Sequence, residues 1–160
     1  MTRTFLLNGK RLVVEAQPLK SLLRVLREDC GSTEVRQGCE RGLCGACLVL
    51  MNGELASSCL VAFHSLEGAL VETVEGLGGR RDFQELERLL DERRVFLCGF
   101  CSSGVLMAAY SLLRDGRSPT EEAVRDALSG NLCRCGSYSG IVEAVVELGR
   151  ARRMRRRGPA

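Results

Sequence analysis

The chain has 160 residues, 17.5 kDa, 45% of them hydrophobic and 27% charged, which suits one ordinary domain or two small ones and excludes a disordered chain or a fibre. No apolar run approaches the roughly 20 residues of a bilayer span, and Phe5-Leu6-Leu7 meets Asn8-Gly9 too soon for a signal peptide, so a cytoplasmic chain with no membrane span is expected. The net charge of +3 rests on six arginines in the last eleven residues; without them seventeen basic residues face twenty acidic ones, which argues against a nucleic-acid partner.

Two hydrophobic strands, Phe5-Leu6-Leu7 and Leu12-Val13-Val14, flank the turn Asn8-Gly9-Lys10 and predict a hairpin. After Pro18, Leu19, Leu22, Leu23 and Leu26 recur at helical spacing and predict an amphipathic helix. A cysteine-rich loop runs from Gly38 to Cys47. Leu48–Met51 and Glu54–Ser57 around Asn52-Gly53 predict a second hairpin, and Leu70–Val74 a last strand. The expected order is β-β-α-β-β-β. Gly76-Leu77-Gly78-Gly79-Arg80-Arg81 reads as a linker, since it lacks the lysine and spacing of a phosphate-binding loop.

Beyond the linker the pattern is helical. Phe83, Leu86, Leu89 and Leu90 share one face, and Val105, Leu106, Ala109, Leu112 and Leu113 another. Ser118-Pro119-Thr120-Glu121 reads as a capping box with proline in the first turn, before Val124, Ala127 and Leu128. Ile141, Val142, Val145 and Val146 predict a fourth helix. The expectation is an α+β chain: a small α+β domain over 1–78, a helical bundle over 82–150, and a basic tail over 151–160, flexible or docked on a partner. Two lobes this small have marginal cores, and bound metal centres would add folding free energy to each.

Eight of the nine cysteines fall into two groups of four. Cys39, Cys44, Cys47 and Cys59 form C-x4-C-x2-C-x11-C, and Cys98, Cys101, Cys133 and Cys135 form C-x2-C-x31-C-x-C. Thiols kept reduced in the cytosol point to metal binding rather than disulfides, and all-cysteine ligation suits zinc or an iron–sulfur cluster. The first group has plant-type [2Fe–2S] spacing, with glycines in the loop to let backbone N–H groups approach sulfur. In the second group both ligand pairs directly precede helices, whose N-terminal N–H groups and dipole favour an anionic cluster. Zinc stays open on geometry alone.

With these motifs the chain resembles the small iron–sulfur subunit of the molybdenum hydroxylases, the xanthine-oxidase and carbon-monoxide-dehydrogenase superfamily. The resemblance runs from Phe5 to about Leu148. It rests on Gly38-Cys39-x4-Cys44-Gly45-Ala46-Cys47, Val74-Glu75-Gly76-Leu77, Cys98-Gly99-Phe100-Cys101 and Gly130-Asn131-Leu132-Cys133-Arg134-Cys135. It implies an N-terminal β-grasp, plant-type ferredoxin domain followed by a C-terminal four-helix-bundle domain, each with one [2Fe–2S] cluster. It also implies a large subunit with molybdopterin and a medium subunit with FAD, in a heterotrimer or its dimer. Cys98, Cys101, Cys133 and Cys135 would then hold the first electron acceptor, nearer the molybdopterin. Cys39, Cys44, Cys47 and Cys59 would hold the second, on the flavin side.

Three positions depart from the family pattern. Leu97 stands where a glutamine typically contacts the pterin, Ser102-Ser103 replaces Thr-Pro, and Gly136-Ser137 replaces Thr-Gly. Cys30 reads as a thiol outside both groups and His64 as an ordinary imidazole, because each group already has four cysteines. Arg134, between two ligands, reads equally as an electrostatic aid to a reduced cluster and as a solvated or partner-contacting side chain. No catalytic residue is expected on this chain, whose reading is a non-catalytic electron-transfer subunit of an oxidoreductase. The alternatives are a freestanding two-cluster ferredoxin and a structural zinc-binding interaction protein.

Overall fold

The computed structural model describes residues 1–157. Strands β1 (Thr2–Leu7) and β2 (Lys10–Glu15) pair antiparallel, as do β3 (Leu48–Met51) and β4 (Glu54–Ser57). Both hairpins turn on Asn-Gly with positive φ at both residues, 51° and 79° at Asn8-Gly9 and 51° and 84° at Asn52-Gly53. That geometry matches the right-handed twist of the flanking strands. Strand β5 (Leu70–Glu72) lies parallel to β1 and antiparallel to β3, which gives the order β2-β1-β5-β3-β4. The predicted strand order therefore holds, in the β-grasp arrangement.

The helix of this lobe begins later than its leucines suggest. Ser21 caps it by accepting the Arg24 N–H, and α1 (Leu22–Arg24) widens at once into a π turn over Val25–Asp29, where the Cys30 N–H reaches the Val25 carbonyl. Leu22, Leu23, Val25 and Leu26 are fully buried, whereas Leu19 lies before the cap and is exposed. The wider turn puts four consecutive-pair apolar side chains on the sheet at once, and Leu19 drops out of the stripe. Phe5, Leu7, Val49, Phe63 and Val71 complete this core.

The stretch read as a linker is tied down. Helix α2 (Val74–Leu77) occupies its start, and Leu77 is buried in the core of the helical lobe. Asn8, on the first hairpin turn, holds the entry to α2 by accepting the Thr73 N–H at 2.9 Å and donating to the Thr73 hydroxyl at 3.1 Å. The bundle follows as α3 (Arg81–Glu92), α4 (Ser102–Leu113), α5 (Glu121–Leu128) and α6 (Tyr138–Arg157). Helix α4 is buried nearly all round, from Ser103 to Tyr110, rather than along one stripe. It is the central helix, packed on α3, α5, α6 and the sheet. The cap of α5 is Thr120, accepting the Ala123 N–H at 3.2 Å, so Ser118 and Pro119 stand outside the helix and form no capping box.

Strand β3 serves both cores, because alternate side chains point to opposite faces. Val49 packs into the ferredoxin-like lobe and Leu50 into the helical one. Arg114, just after α4, crosses back to pair with Glu54 at 3.3 Å and to donate to the Gly53 carbonyl.

The basic tail differs from expectation up to Arg157; residues 158–160 lie outside the described residues. It continues α6 and docks on this chain's own α3, where Glu85 accepts from Arg152 at 2.9 Å and from Arg155, and Arg152 also reaches the Asp82 carbonyl. Arginine is a good helix former, and cations suit the C-terminal end of the dipole. Burial works to raise the Glu85 carboxyl, but Arg155 and Arg152 outweigh it and hold it below the usual carboxylate range. A folded pKa below the unfolded value contributes stability above about pH 4.3 that fades as pH falls through the lower folded value. Glu85→Gln is therefore expected to cost about 1 kcal/mol at pH 7. The deficit should shrink towards zero below about pH 4, as measured by urea denaturation at both pH values. An equal deficit at both would assign it to packing instead.

Candidate metal centres

The loop between the π turn and β3 carries the first cysteine group. Positive φ recurs along it at Glu40 (54°), Gly42 (72°) and Gly45 (67°), which turns successive N–H groups inward. The N–H groups of Arg41 and Leu43 point at the Cys39 sulfur at 3.3 and 3.2 Å, and that of Gly42 at the Cys59 sulfur at 3.2 Å. The Arg41 N–H is the largest cause of a Cys39 thiol lowered to about 6, with Leu43 and Cys44 adding to it. Cys59, which arrives from the short turn after β4, is pushed up to about 11 by burial and by the Cys47 thiol. The four sulfurs stand as two pairs, Cys39 with Cys44 and Cys47 with Cys59. Glu40, held by Arg24 at 3.7 Å and by Gln37, fastens the outer edge of the loop to α1.

The second group sits where two helices begin. Cys101 is the N-cap residue of α4, and Cys133 and Cys135 precede α6. Here too the sulfurs pair, Cys98 with Cys135 and Cys101 with Cys133. Burial raises the Cys101 thiol to about 11. At Cys133 burial acts the same way but is outweighed by the N–H groups of Ser137, Cys135 and Gly136, so that thiol is lowered. The Phe100 N–H lowers Cys98.

Among the described residues no three or more His, Cys, Asp or Glu side chains form a single-ion site. Two pairs of sulfurs per group, with N–H groups aimed at them, fit a binuclear iron–sulfur centre, in which each iron takes two of the four thiolates. The residues outside the groups stay outside. Cys30 is half-buried, with its thiol raised by burial and by Asp29. His64 is exposed, and its carbonyl accepts from Arg3. Arg134 is exposed.

The two loops touch. The Leu132 N–H donates to the Cys44 carbonyl at 3.0 Å, and the Asn131 side-chain amide to the Gly45 carbonyl at 3.3 Å. Asn131 is 2% exposed. Tyr138 steadies this bridge from α6, its hydroxyl accepting the Cys133 N–H and donating to the Asn131 carbonyl, both at 2.7 Å. Gly104 of α4 completes the contact, since a methyl there would overlap the Gly45 carbonyl oxygen.

Two family models match: a 2Fe–2S iron–sulfur cluster binding domain over residues 5–76 and a [2Fe–2S] binding domain over residues 73–146. The small subunit of nicotine 6-hydroxylase from Paenarthrobacter nicotinovorans is 42% identical over 140 residues, 88% of this chain and 84% of that one. The chain belongs to the small iron–sulfur subunits of the molybdenum hydroxylases. The small FeS subunit of nicotinate dehydrogenase from Eubacterium barkeri is 37% identical over 139 residues, 87% of this chain and 88% of that one. In the solved quinoline 2-oxidoreductase of Pseudomonas putida 86, a chain 36% identical superposes with a TM-score of 0.85, covering 100% of this chain and 98% of that one. Like the other small subunits, this one carries electrons within an oxidoreductase and is not its catalytic chain.

Sequence reasoning missed the parts of this small subunit that join its lobes. Asn131 appeared only as a letter in a motif, and Tyr138 and Gly104 not at all. Asn131, buried and polar beside a cysteine pair, is the kind of residue that must find a partner, but the sequence does not say which.

Proposed function

We propose that Cys39, Cys44, Cys47 and Cys59 hold one [2Fe–2S] cluster and that Cys98, Cys101, Cys133 and Cys135 hold a second. A [2Fe–2S] cluster supplies acceptance and release of one electron at a time. The chain's part is to hold the sites, to offset added negative charge on sulfur with N–H groups, and to keep both loops in fixed contact. On this reading the subunit takes electrons at its helical site from a large subunit carrying molybdopterin. It delivers them at its ferredoxin-like site to a medium subunit carrying FAD, in a cytoplasmic heterotrimer or its dimer. The domains fall at 1–78 and 82–150, the second extended by the end of α6 to Arg157.

The observation that carries this reading is the bridge from the Cys44 carbonyl to the Leu132 N–H, one residue from Cys133. A structural zinc protein has no need to seat two cysteine sites against each other, whereas electron exchange between two clusters does. Exposed apolar side chains support the partners: Leu97, Phe100 and Leu132 surround the helical site, and Leu43 and Leu60 the other. Exposed apolar side chains beside partly exposed cysteines suit docked surfaces. Among the described residues no helix is long and apolar enough to cross a membrane.

Anaerobic purification followed by low-temperature EPR of the dithionite-reduced protein tests the reading. The expected result is two distinct S = 1/2 signals integrating to about two spins per chain, with large and medium chains co-eluting. A colourless, zinc-loaded protein, or a lone monomer with both signals, would overturn it.

A further inference from the structure

Among the described residues two buried side-chain oxygens lack a hydrogen-bond partner, Glu34 Oε1 and Ser103 Oγ. They come from different lobes, Glu34 from the loop ahead of Cys39 and Ser103 from the first turn of α4, yet both residues line one cleft of about 440 Å3. Ser103 is 8% exposed, so its hydroxyl has left solvent without gaining a partner. The neighbouring Ser102 shows the contrast, since its hydroxyl donates to the Gly99 carbonyl at 2.7 Å. Buried polar groups ordinarily find partners, and an orphan costs folding free energy that a docked group recovers.

The cleft follows the seam between the lobes. Glu34 and Arg36 enter it from the loop, Glu75 from α2, Glu87 from α3 and Ser103 from α4. All of its lining residues are described ones. The three glutamates form no ion pair with Arg36 or with any other described residue. Three unpaired carboxylates thus share the cleft with one guanidinium, which does not neutralise them.

The donor set selects the ligand. An ionised carboxylate only accepts hydrogen bonds and a hydroxyl accepts as well as donates, so the fitting group carries N–H donors and positive charge. A metal ion is a poor match, because among the described residues no three acidic side chains gather as ligands of one ion. A lysine or arginine side chain spreads several donors over a wider span. Its methylene stem would lie on Val74 and Leu106, the apolar part of the lining, while its charged head stays with the carboxylates. Glu34 is half-buried, and a change of rotamer turns either oxygen towards such a head.

We propose that this cleft takes a basic side chain of a partner subunit, which donates to Glu34 and Ser103 and pins the seam between the two lobes. The inference rests on the reading of the chain as one subunit of a complex. Its test uses the co-expressed complex carrying Glu34→Gln or Ser103→Ala. Glutamine keeps the shape of Glu34, and alanine is the better helix former in α4 and removes an orphan hydroxyl, so the fold is retained. Dissociation of the small subunit is followed by mass photometry over dilution and sodium chloride series. Glu34→Gln should weaken assembly roughly tenfold and flatten its salt dependence. Ser103→Ala should also weaken assembly, whereas an orphan with no partner would leave it unchanged or strengthened. Both EPR signals should stay at their wild-type positions. Unaltered dissociation in either variant would overturn the docking site. So would unaltered dissociation with loss of spermidine binding, which would assign the cleft to a free organic cation. A wild-type chain that purifies without partners would instead overturn the subunit reading, a failure visible before any variant is made.

Discussion

Replacing Cys101 by alanine should leave a chain with one EPR signal where the wild type has two. The argument is one of separability. The two cysteine groups draw on different elements, the first on the loop before β3 and the turn after β4, the second on the starts of α4 and α6. Cys101 is the N-cap of the most buried helix, and its sulfur is paired with Cys133. Alanine removes a thiolate that no neighbouring side chain replaces, because Cys30 sits elsewhere and His64 is exposed. The reduced variant should therefore integrate to about one spin per chain, with the remaining signal at its wild-type position. Cys47→Ala should do the reverse, removing the signal that survives in Cys101→Ala and keeping the one lost there. Loss of both signals in either variant would mean that the groups do not form separate centres. Loss of neither would reassign the ligands. The helical lobe should also melt earlier in Cys101→Ala, since metal-binding free energy is folding free energy for a small lobe.

How much of this was legible in the sequence follows the range of the interactions. The hairpins were, because Asn8-Gly9 and Asn52-Gly53 encode their turns within two residues. The cysteine groups were too, since three ligands of the first lie within nine residues and each pair of the second adjoins a helix start. What failed was set by packing. Leu19 keeps the helical period but precedes the Ser21 cap, and no periodicity reveals the π turn that replaces it. The tail read as flexible or docked on a partner because its counter-charge within the chain, Glu85, lies 67 residues before Arg152. The joint between the lobes depends on longer separations still, such as the 86 residues from Gly45 to Asn131. A single sequence offers no signal at that distance. The family resemblance supplied the architecture but not the contact that seats one loop on the other.

That contact yields the sharpest test of sign. Gly104 lies in the first turn of α4, where alanine is the better helix former by roughly 1 kcal/mol. Local propensity thus predicts that Gly104→Ala stabilises the protein. The structure predicts the reverse, because the new methyl would overlap the Gly45 carbonyl oxygen and stand 2.9 Å from its carbon. The obstacle is backbone of the cysteine loop, not the end of a flexible side chain, so relief requires one lobe to move. Overpacking of this kind costs about 3 kcal/mol, which exceeds the gain in propensity and should lower Tm by roughly 4–8 °C in the metal-loaded protein. The same movement strains the Leu132–Cys44 hydrogen bond and the Asn131–Gly45 hydrogen bond, which lie beside it. Two reduced clusters near each other broaden and split each other's EPR lines, so displacement of the loops should weaken that splitting while both signals survive. A variant as stable as the wild type, or more so, would show that the lobes are not wedged together at Gly104. Weakened splitting with a lowered Tm would show that one close approach of backbone to backbone holds the two electron-transfer sites in register.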